Sequence, residues 1–219
     1  MLSHFGSQIV DFGSALLLLT CFAIVAQRRL SACVDLFALQ SAFLAITAAL
    51  VAFLTGIHHI YIAVGLTVII KVLVIPRILK KVVERLNVTR ELVMNVNVPA
   101  SLLICGGLVM LAIFITQPVI PLGFQLSQGS LAIALAIVLI GFFTMIARKK
   151  AVSQVIGFLV MENGLFLGAT ASAYGMPLIV ELGVFFDVLV GMLIVGIYAH
   201  RLQDAFDSVD TSKLTILKE

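Results

Sequence analysis

The chain has 219 residues, of which 62% are hydrophobic and 11% charged, and its mean hydropathy is +1.20. Soluble domains are nearer half apolar and a quarter charged, so this composition excludes an ordinary soluble domain and indicates a membrane protein. The formal net charge is +3. We expect lipid around the chain and no nucleic-acid partner.

Seven apolar blocks are long enough to cross a bilayer, which takes roughly 20 residues of helix. The first begins without a basic n-region or a cleavage site, so it reads as a retained helix. Breaker residues such as Gly56, Pro118 and Pro177 lie in the connections. The sequence therefore predicts an all-α polytopic bundle of seven transmembrane helices, at 6–27, 32–55, 57–78, 98–117, 127–147, 151–174 and 177–200.

The basic residues indicate the orientation of the bundle. Of the 14 Lys and Arg, all but Lys71 fall either in the segments that follow spans one, three, five and seven or, in the case of Arg77, at the very end of span three. Cytoplasmic loops carry an excess of Lys and Arg. We therefore predict that the N-terminus faces out and the C-terminus is cytoplasmic.

Spans one to three and spans five to seven are predicted to be two parallel three-helix repeats, joined by span four as a connector helix. The matched segments are 39–45 with 161–167 and 69–74 with 185–190. Polar residues fall at matched positions, Gln40 with Glu162 and Lys71 with Asp187. The predicted boundaries are 1–97 for the first repeat and its cytoplasmic loop, 98–126 for the connector, and 127–219 for the second repeat and its tail.

Two acidic residues are predicted to lie near mid-bilayer. At 1.5 Å per residue, Glu162 is roughly 16 Å into span six and Asp187 roughly 15 Å into span seven. A charged group at this depth costs roughly 3 kcal/mol or more, so such residues face the protein interior, pair, or line a wet path. We predict that both belong to a proton path. The alternative is a protonated acid that only forms an interhelical hydrogen bond.

Lys71 and Glu181 are the other candidates for this path. Lys71 lies roughly 9 Å from the cytoplasmic end of span three, so it either snorkels to the interface or serves as the partner of an acid. Glu181 is near the outer end of span seven, where it is either an entry or exit group or a solvated helix end.

Span six also carries residues suited to helix packing. Gly164 and Gly168 have the small-x-x-x-small spacing that lets another helix approach closely. Asn163, beside Glu162, can hydrogen-bond across helices and tune that acid.

The three cysteines, Cys21, Cys33 and Cys105, form no C-x-x-C pair. Iron–sulfur clusters and structural zinc need closely spaced thiolates. We therefore expect neither an iron–sulfur cluster nor structural zinc, and we interpret the cysteines as small apolar packing residues. We also predict no other metal, no cofactor and no catalytic residue in this chain.

The stretch 153–164, Ser-Gln-Val-Ile-Gly-Phe-Leu-Val-Met-Glu-Asn-Gly, resembles the corresponding segment of the hydrogenase-4 component E family. These are membrane subunits of formate hydrogenlyase-type complexes. The segments 71–76, 181–183 and 214–218, together with Asp187, match that family too, and the likeness covers most of the chain. The resemblance implies a multi-pass subunit of a bacterial or archaeal cytoplasmic membrane, beside large antiporter-like subunits, with nickel–iron and iron–sulfur centres in other chains.

The last three spans resemble, more distantly, the small K-type subunit of complex I and the C subunit of Mrp antiporters. In that family a basic loop leads into a helix that carries Ile-Gly-x-Glu-x-Met-x-Asn, and the next helix carries an acid. The family glutamate aligns with Leu159, and Glu162 comes one turn later on the same face. Glu162 therefore either replaces that glutamate or occupies a related position, and the second acid aligns with Asp187.

Together these observations predict a membrane-arm subunit of a complex I-related hydrogenase complex, not catalytic alone, which contributes to proton translocation and to assembly with antiporter-like subunits. Two alternatives stay open. In the first, the chain is a purely structural subunit whose polar groups hold helices together. In the second, it belongs to a cation/proton antiporter, and the internal repeat of the chain would suit a transporter.

Overall fold

The computed structural model describes residues 2–56, 59–85, 96–118 and 128–172, together with Gly191. Apart from Gly191, the predicted seventh span at 177–200 lies outside these residues, as do Glu181 and Asp187, so the count of seven helices stays a prediction. The chain divides into two compact units, Met1–Val184 and Phe185–Glu219. The architecture that follows is that of the first unit.

The secondary structure elements of the described residues are all helical, as predicted. Six segments are long and apolar enough to cross a membrane, and they coincide with the first six predicted spans. The elements are α1 (Leu2–Ala26), α2 (Leu30–Thr55), α3 (His59–Thr67), a π-helical segment (Val68–Val74), α4 (Ile75–Arg85), α5 (Val98–Thr116), α6 (Gln128–Ala147) and α7 (Ala151–Ser172).

The third span is one continuous helix built from α3, the π-helical segment and α4. It continues past the predicted end at 78 because α4 is amphipathic, with Leu79 and Val83 buried and the basic residues at 77, 80 and 81 exposed. The predicted boundary, drawn from hydropathy, marks where the apolar stretch stops, and a helix can extend beyond that point.

The π-helical segment lies just before Pro76. Proline has no backbone N–H, and in an α-helix its ring crowds the carbonyl four residues earlier, here that of Val72. The Ile75 N–H bonds to the Ile70 carbonyl five residues back, so the backbone is wider at this point than an α-helix. The wider turn accommodates the proline within a span, and turns of this type occur frequently at functional sites.

Helices α6 and α7 touch backbone to backbone through glycines. A Cβ atom on Gly141 would lie 2.5 Å from the Met161 nitrogen, and one on Gly164 would lie 2.8 Å from the Val138 nitrogen. A Cβ on Gly168 would be 3.4 Å from the Ala134 Cβ, an ordinary contact. Membrane helices associate through such close van der Waals packing because lipid provides no hydrophobic force between them.

Polar contacts at both ends of the bundle show that α1 and α6 run parallel. At one end Ser130 donates to the Asp11 carboxylate at 3.1 Å. At the other end Arg148 donates to the carbonyl oxygens of Val25 at 2.9 Å and Gln27 at 3.1 Å. Arg148 is only 3% exposed, although the sequence indicated an ordinary basic loop residue. It caps the carbonyl end of α1, where unpaired C=O groups and the helix dipole both favour a cation.

We predict opposite effects of the same Gly→Ala substitution at two glycines in membrane helices. Gly141→Ala forces a Cβ against the α7 backbone, and overpacking of this kind costs about 1–3 kcal/mol. Gly107→Ala meets no atom within 4 Å and should be neutral or slightly stabilising, because alanine favours the helix. Unfolding of the two purified full-length variants in detergent micelles measures the difference. Equal stability of the two variants would contradict the described α6–α7 packing.

Candidate functional site

Lys71 is fully buried in the π-helical segment, with 0% of its surface exposed. Its ammonium forms an ion pair with the Glu162 carboxylate of α7, through Oε1. Of the two predictions for Lys71, the structure therefore places it beside an acid, and the side chain does not snorkel to the interface. The pair links two spans that are 91 residues apart in the chain.

A chain of amide hydrogen bonds extends from this ion pair to α1. The Lys71 ammonium donates to Asn163 Oδ1 at 3.3 Å. The Asn163 amide donates to Gln40 Oε1 at 3.3 Å and to Ser41 Oγ at 3.2 Å, both on α2. The Gln40 amide donates in turn to the Leu17 carbonyl of α1 at 3.1 Å. Because each amide both donates and accepts, the network fixes the orientation of Asn163 and thereby helps to position Lys71.

The two carboxylate oxygens of Glu162 differ in their surroundings. Oε1 contacts Lys71, whereas Oε2 is buried and has no hydrogen-bond partner in the described part of the chain. The ring of Phe166 lies 6.0 Å from the Lys71 ammonium and adds a weak cation–π attraction. A buried pair with an unbonded carboxylate oxygen is a place where an arriving proton finds an acceptor.

Thr67 is a second buried polar group near the pair. It lies four residues before Lys71, on the same face of the third span, and it is fully buried. Its hydroxyl has no hydrogen-bond partner among the described residues. The threonines at 20, 47, 116, 144 and 170 each donate to a carbonyl of their own helix three or four residues earlier. Thr67 departs from that common pattern.

The structure thus brings together three of the predicted site residues, Lys71, Glu162 and Asn163. Asp187 and Glu181 lie outside the described residues, so their place in a proton path stays a prediction. Leu159, which aligns with the family glutamate, is buried one turn before Glu162 on α7. Sequence reasoning missed the contact that Ser41 makes with Asn163, for which the available signal was a Gln-Ser pair inside an apolar span.

Within the described residues no group of three or more His, Cys, Asp or Glu could hold a metal ion. Cys21, Cys33 and Cys105 are all buried and free. Lys71 and Glu162 bring an amine and a carboxylate into direct contact. Such a pair can exist as two ions or, after proton transfer between the partners, as two neutral groups.

A double-mutant cycle tests whether Lys71 and Glu162 compensate for one another. Lys71→Met or Glu162→Leu alone leaves a buried charge without this partner, which costs about 3–5 kcal/mol, whereas the double replacement by apolar residues costs much less. Denaturation of the purified variants in micelles gives the coupling. Lys80→Met serves as the control, since the Lys80–Asp35 pair is exposed and worth at most about 1 kcal/mol. Additive single losses would show that the two side chains do not interact.

Several known proteins are similar in sequence to this chain over nearly its whole length. No protein-family model matches it, and no solved structure does. It is 39% identical over 218 residues to the uncharacterized protein Rv0085 of Mycobacterium tuberculosis, with 97% of each chain covered. It is 26% identical over 217 residues to hydrogenase-4 component E of Escherichia coli K12, covering 97% of this chain and 99% of the relative, and the Shigella flexneri protein of that name gives the same values. With its six apolar helices, the chain is a multi-pass protein of a bacterial membrane, and it belongs to the family that contains Rv0085 and the hydrogenase-4 component E proteins.

Proposed function

We propose that this chain is a membrane-arm subunit of a hydrogenase complex related to hydrogenase-4, and that the Lys71–Glu162 pair is part of its proton path. The single observation that carries the proposal is the pairing of Glu162 with a fully buried lysine inside a bundle of membrane helices. The names of its relatives support the hydrogenase assignment. Intramembrane ionisable residues are costly and mark ion pathways or proton relays.

The pair stores a proton by changing its charge state. A proton that reaches Oε2 of Glu162 neutralises the carboxylate and removes the attraction that holds Lys71. The Lys71 ammonium keeps its hydrogen bond to the Asn163 carbonyl. Loss of the proton restores the ion pair. Because the amides of Asn163 and Gln40 are not titratable, they hold the geometry while the charge changes.

The remaining parts of the path belong to the same proposal. Asp187, which the internal repeat matches to Lys71, receives or supplies the proton on span seven, and Glu181 is the outer exchange group. The likeness of the last three spans to the K-type subunit of complex I and the C subunit of Mrp antiporters, in which an acid follows on the next helix, stays a prediction and supports this placement.

We also propose the seven-span topology with the N-terminus outside. The Arg148 contacts place the end of α6 beside the end of α1, and the Lys80–Asp35 pair places α4 beside the start of α2. The basic residues next to these helix ends therefore share one side of the bundle, which supports a cytoplasmic face by the positive-inside rule. Large antiporter-like subunits are the proposed partners. Only 17% of the most apolar stretch of helix α5 is buried. The rest of this helix leaves a broad surface for lipid or such partners.

A purely structural role is the second candidate function. The hydrogen bonds from Asn163 to Gln40 and Ser41 and from Gln40 to Leu17 join α7, α2 and α1. Buried polar networks of this kind can specify a unique packing of helices without moving a proton. The proton-path role and the structural role predict different effects of removing the titratable carboxyl group of Glu162.

Glu162→Gln separates them, because glutamine keeps the size of the side chain and cannot release a proton. In everted vesicles that contain the assembled complex, we expect proton uptake per hydrogen-linked turnover to fall by about tenfold or more. A pH-sensitive dye gives the proton uptake, and the amount of assembled complex is measured on the same vesicles.

Asp35→Asn is the matched control, since it neutralises an acid in an exposed ion pair and should leave pumping unchanged. Normal pumping by Glu162→Gln with normal assembly would overturn the proton-path proposal. Loss of assembled complex, with normal pumping by what assembles, would establish the structural role.

A further inference from the structure

A small cavity lies at the end of the bundle where Arg148 caps α1. Its volume is about 10 Å³, and it is lined by Ile24, Cys33, Thr144, Arg148, Ser153 and Ile156. This volume is enough for a single water molecule and too small for a larger ligand such as phosphate. The lining residues come from the adjoining ends of α1, α2, α6 and α7, with Arg148 directly after α6.

Two buried polar atoms that lack partners belong to residues of this cavity. Arg148 Nη2 donates to the carbonyls of Ile24, Val25 and Gln27, at 3.2, 2.9 and 3.1 Å. Arg148 Nη1 and Ser153 Oγ, in contrast, have no hydrogen-bond partner within the described part of the chain. Burial lowers the pKa of the Arg148 guanidinium, yet arginine stays a cation. A buried cation with unbonded N–H groups costs more than immobilising one water to satisfy them.

We propose that this cavity binds one structural water molecule. The water accepts a hydrogen bond from Arg148 Nη1 and donates one to Ser153 Oγ. Thr144 Oγ1, which donates to the Ile140 carbonyl at 2.7 Å, keeps lone pairs that accept the second hydrogen of the water. Three hydrogen bonds are typical of a buried water. The bound water thereby connects the α1 cap to the first turn of α7.

Ser153→Ala tests this site through the sign of its effect. With a bound water, the substitution removes a hydrogen bond, and we expect the midpoint of thermal unfolding to fall by about 2–4 °C. In a dry cavity the same change removes an unsatisfied hydroxyl and adds a better helix former, so the midpoint would stay or rise, which would overturn the proposal. Ser101→Ala calibrates the loss, because Ser101 is equally buried and donates to the Val96 carbonyl at 3.4 Å.

A map of the wild-type protein that resolves ordered waters supplies a second measurement. Density within hydrogen-bond distance of both Arg148 Nη1 and Ser153 Oγ supports the site. Clear density for both side chains with an empty cavity between them overturns it, whatever the thermal shift.

A separate observation concerns the unpaired hydroxyl of Thr67. Thr67 precedes Lys71 by one turn, on the side of the pair away from Arg148 and toward the predicted outer face. It is fully buried and does not make the carbonyl bond that the threonines at 20, 47, 116, 144 and 170 make. A buried hydroxyl without a partner is rare and indicates a bound water, an ion or a functional role. The second unbonded atom, Glu162 Oε2, is on the residue that pairs with Lys71.

We infer that the Thr67 hydroxyl is the next member of the proton path on the outer side of the Lys71–Glu162 pair. This inference rests on the proposed function. The hydroxyl accepts a proton through one lone pair while it releases its own to a neighbouring water, so its charge and composition are the same after each transfer. A hydroxyl committed to a helix carbonyl would be less available for this exchange, which gives a reason for the departure of Thr67 from the other threonines.

Thr67→Val and Thr67→Ser test the inference in the same everted vesicles. Valine keeps the shape and removes the hydroxyl, so most proton uptake per turnover should be lost. Serine keeps the hydroxyl and should retain it. Thr47→Val is the matched control, since the Thr47 hydroxyl donates to the Phe43 carbonyl at 2.8 Å, and it should pump normally.

The result also separates the two proposals. Normal pumping by Thr67→Val overturns the role of Thr67. If Glu162→Gln loses proton uptake in that same experiment, the proposed function still holds, but Thr67 is not part of the path. When Glu162→Gln pumps normally as well, the proposed function fails with it.

Discussion

A buried ion pair between two membrane helices has to be shielded from lipid by protein, and the Lys71–Glu162 contact is such a pair. Two buried ions lose their hydration, and their attraction offsets the loss only with good geometry and additional hydrogen bonds. The additional bonds come from Asn163, which Gln40 and Ser41 hold in place from α2. The location of a polar pair thus explains why polar side chains on three different spans meet at one point.

The close packing of α6 and α7 also helps to position the ion pair. Gly141, Gly157 and Gly164 allow the two backbones to touch, and this fixes the position of α7, which carries Glu162 and Asn163. At the end of the bundle Arg148 anchors α6 to the carbonyls of α1. A cation at a helix C-terminus is stabilised by the helix dipole and by unpaired carbonyls. Site and scaffold are therefore connected through a few contacts made by small or polar residues.

Several of these features could be predicted from the sequence. The depth of Glu162 follows from the length of span six, and the requirement for a partner follows from the cost of a charge at that depth. Asn163 and Gln40 were visible as polar residues in apolar spans. The partner of Lys71 could not be determined, because a lysine roughly 9 Å from a helix end can reach either the interface or an acid. Only the position of α7 against the third span decides between these two outcomes.

Other features have no signal in hydropathy. The π-helical segment depends on how Pro76 is accommodated, which apolar content does not report. The burial of Arg148 depends on α1 ending beside α6, whereas the positive-inside rule treats every loop arginine alike. The unpaired hydroxyl of Thr67 is likewise a matter of geometry, since its neighbours in sequence resemble those of threonines that bond to their own helix. Glycine spacing in α7 indicated a close approach, but the partner α6 is seen only in the fold.

The proposed proton path requires Glu162 to change its protonation state during turnover of the proposed complex. Infrared difference spectroscopy of the assembled complex, recorded with and without turnover, reads the carboxyl group directly, and Glu162→Gln assigns its band. We expect a protonated-carboxyl signal that appears and decays with turnover and is missing from the variant. A Glu162 carboxyl that keeps one protonation state throughout turnover would contradict the proposed proton path.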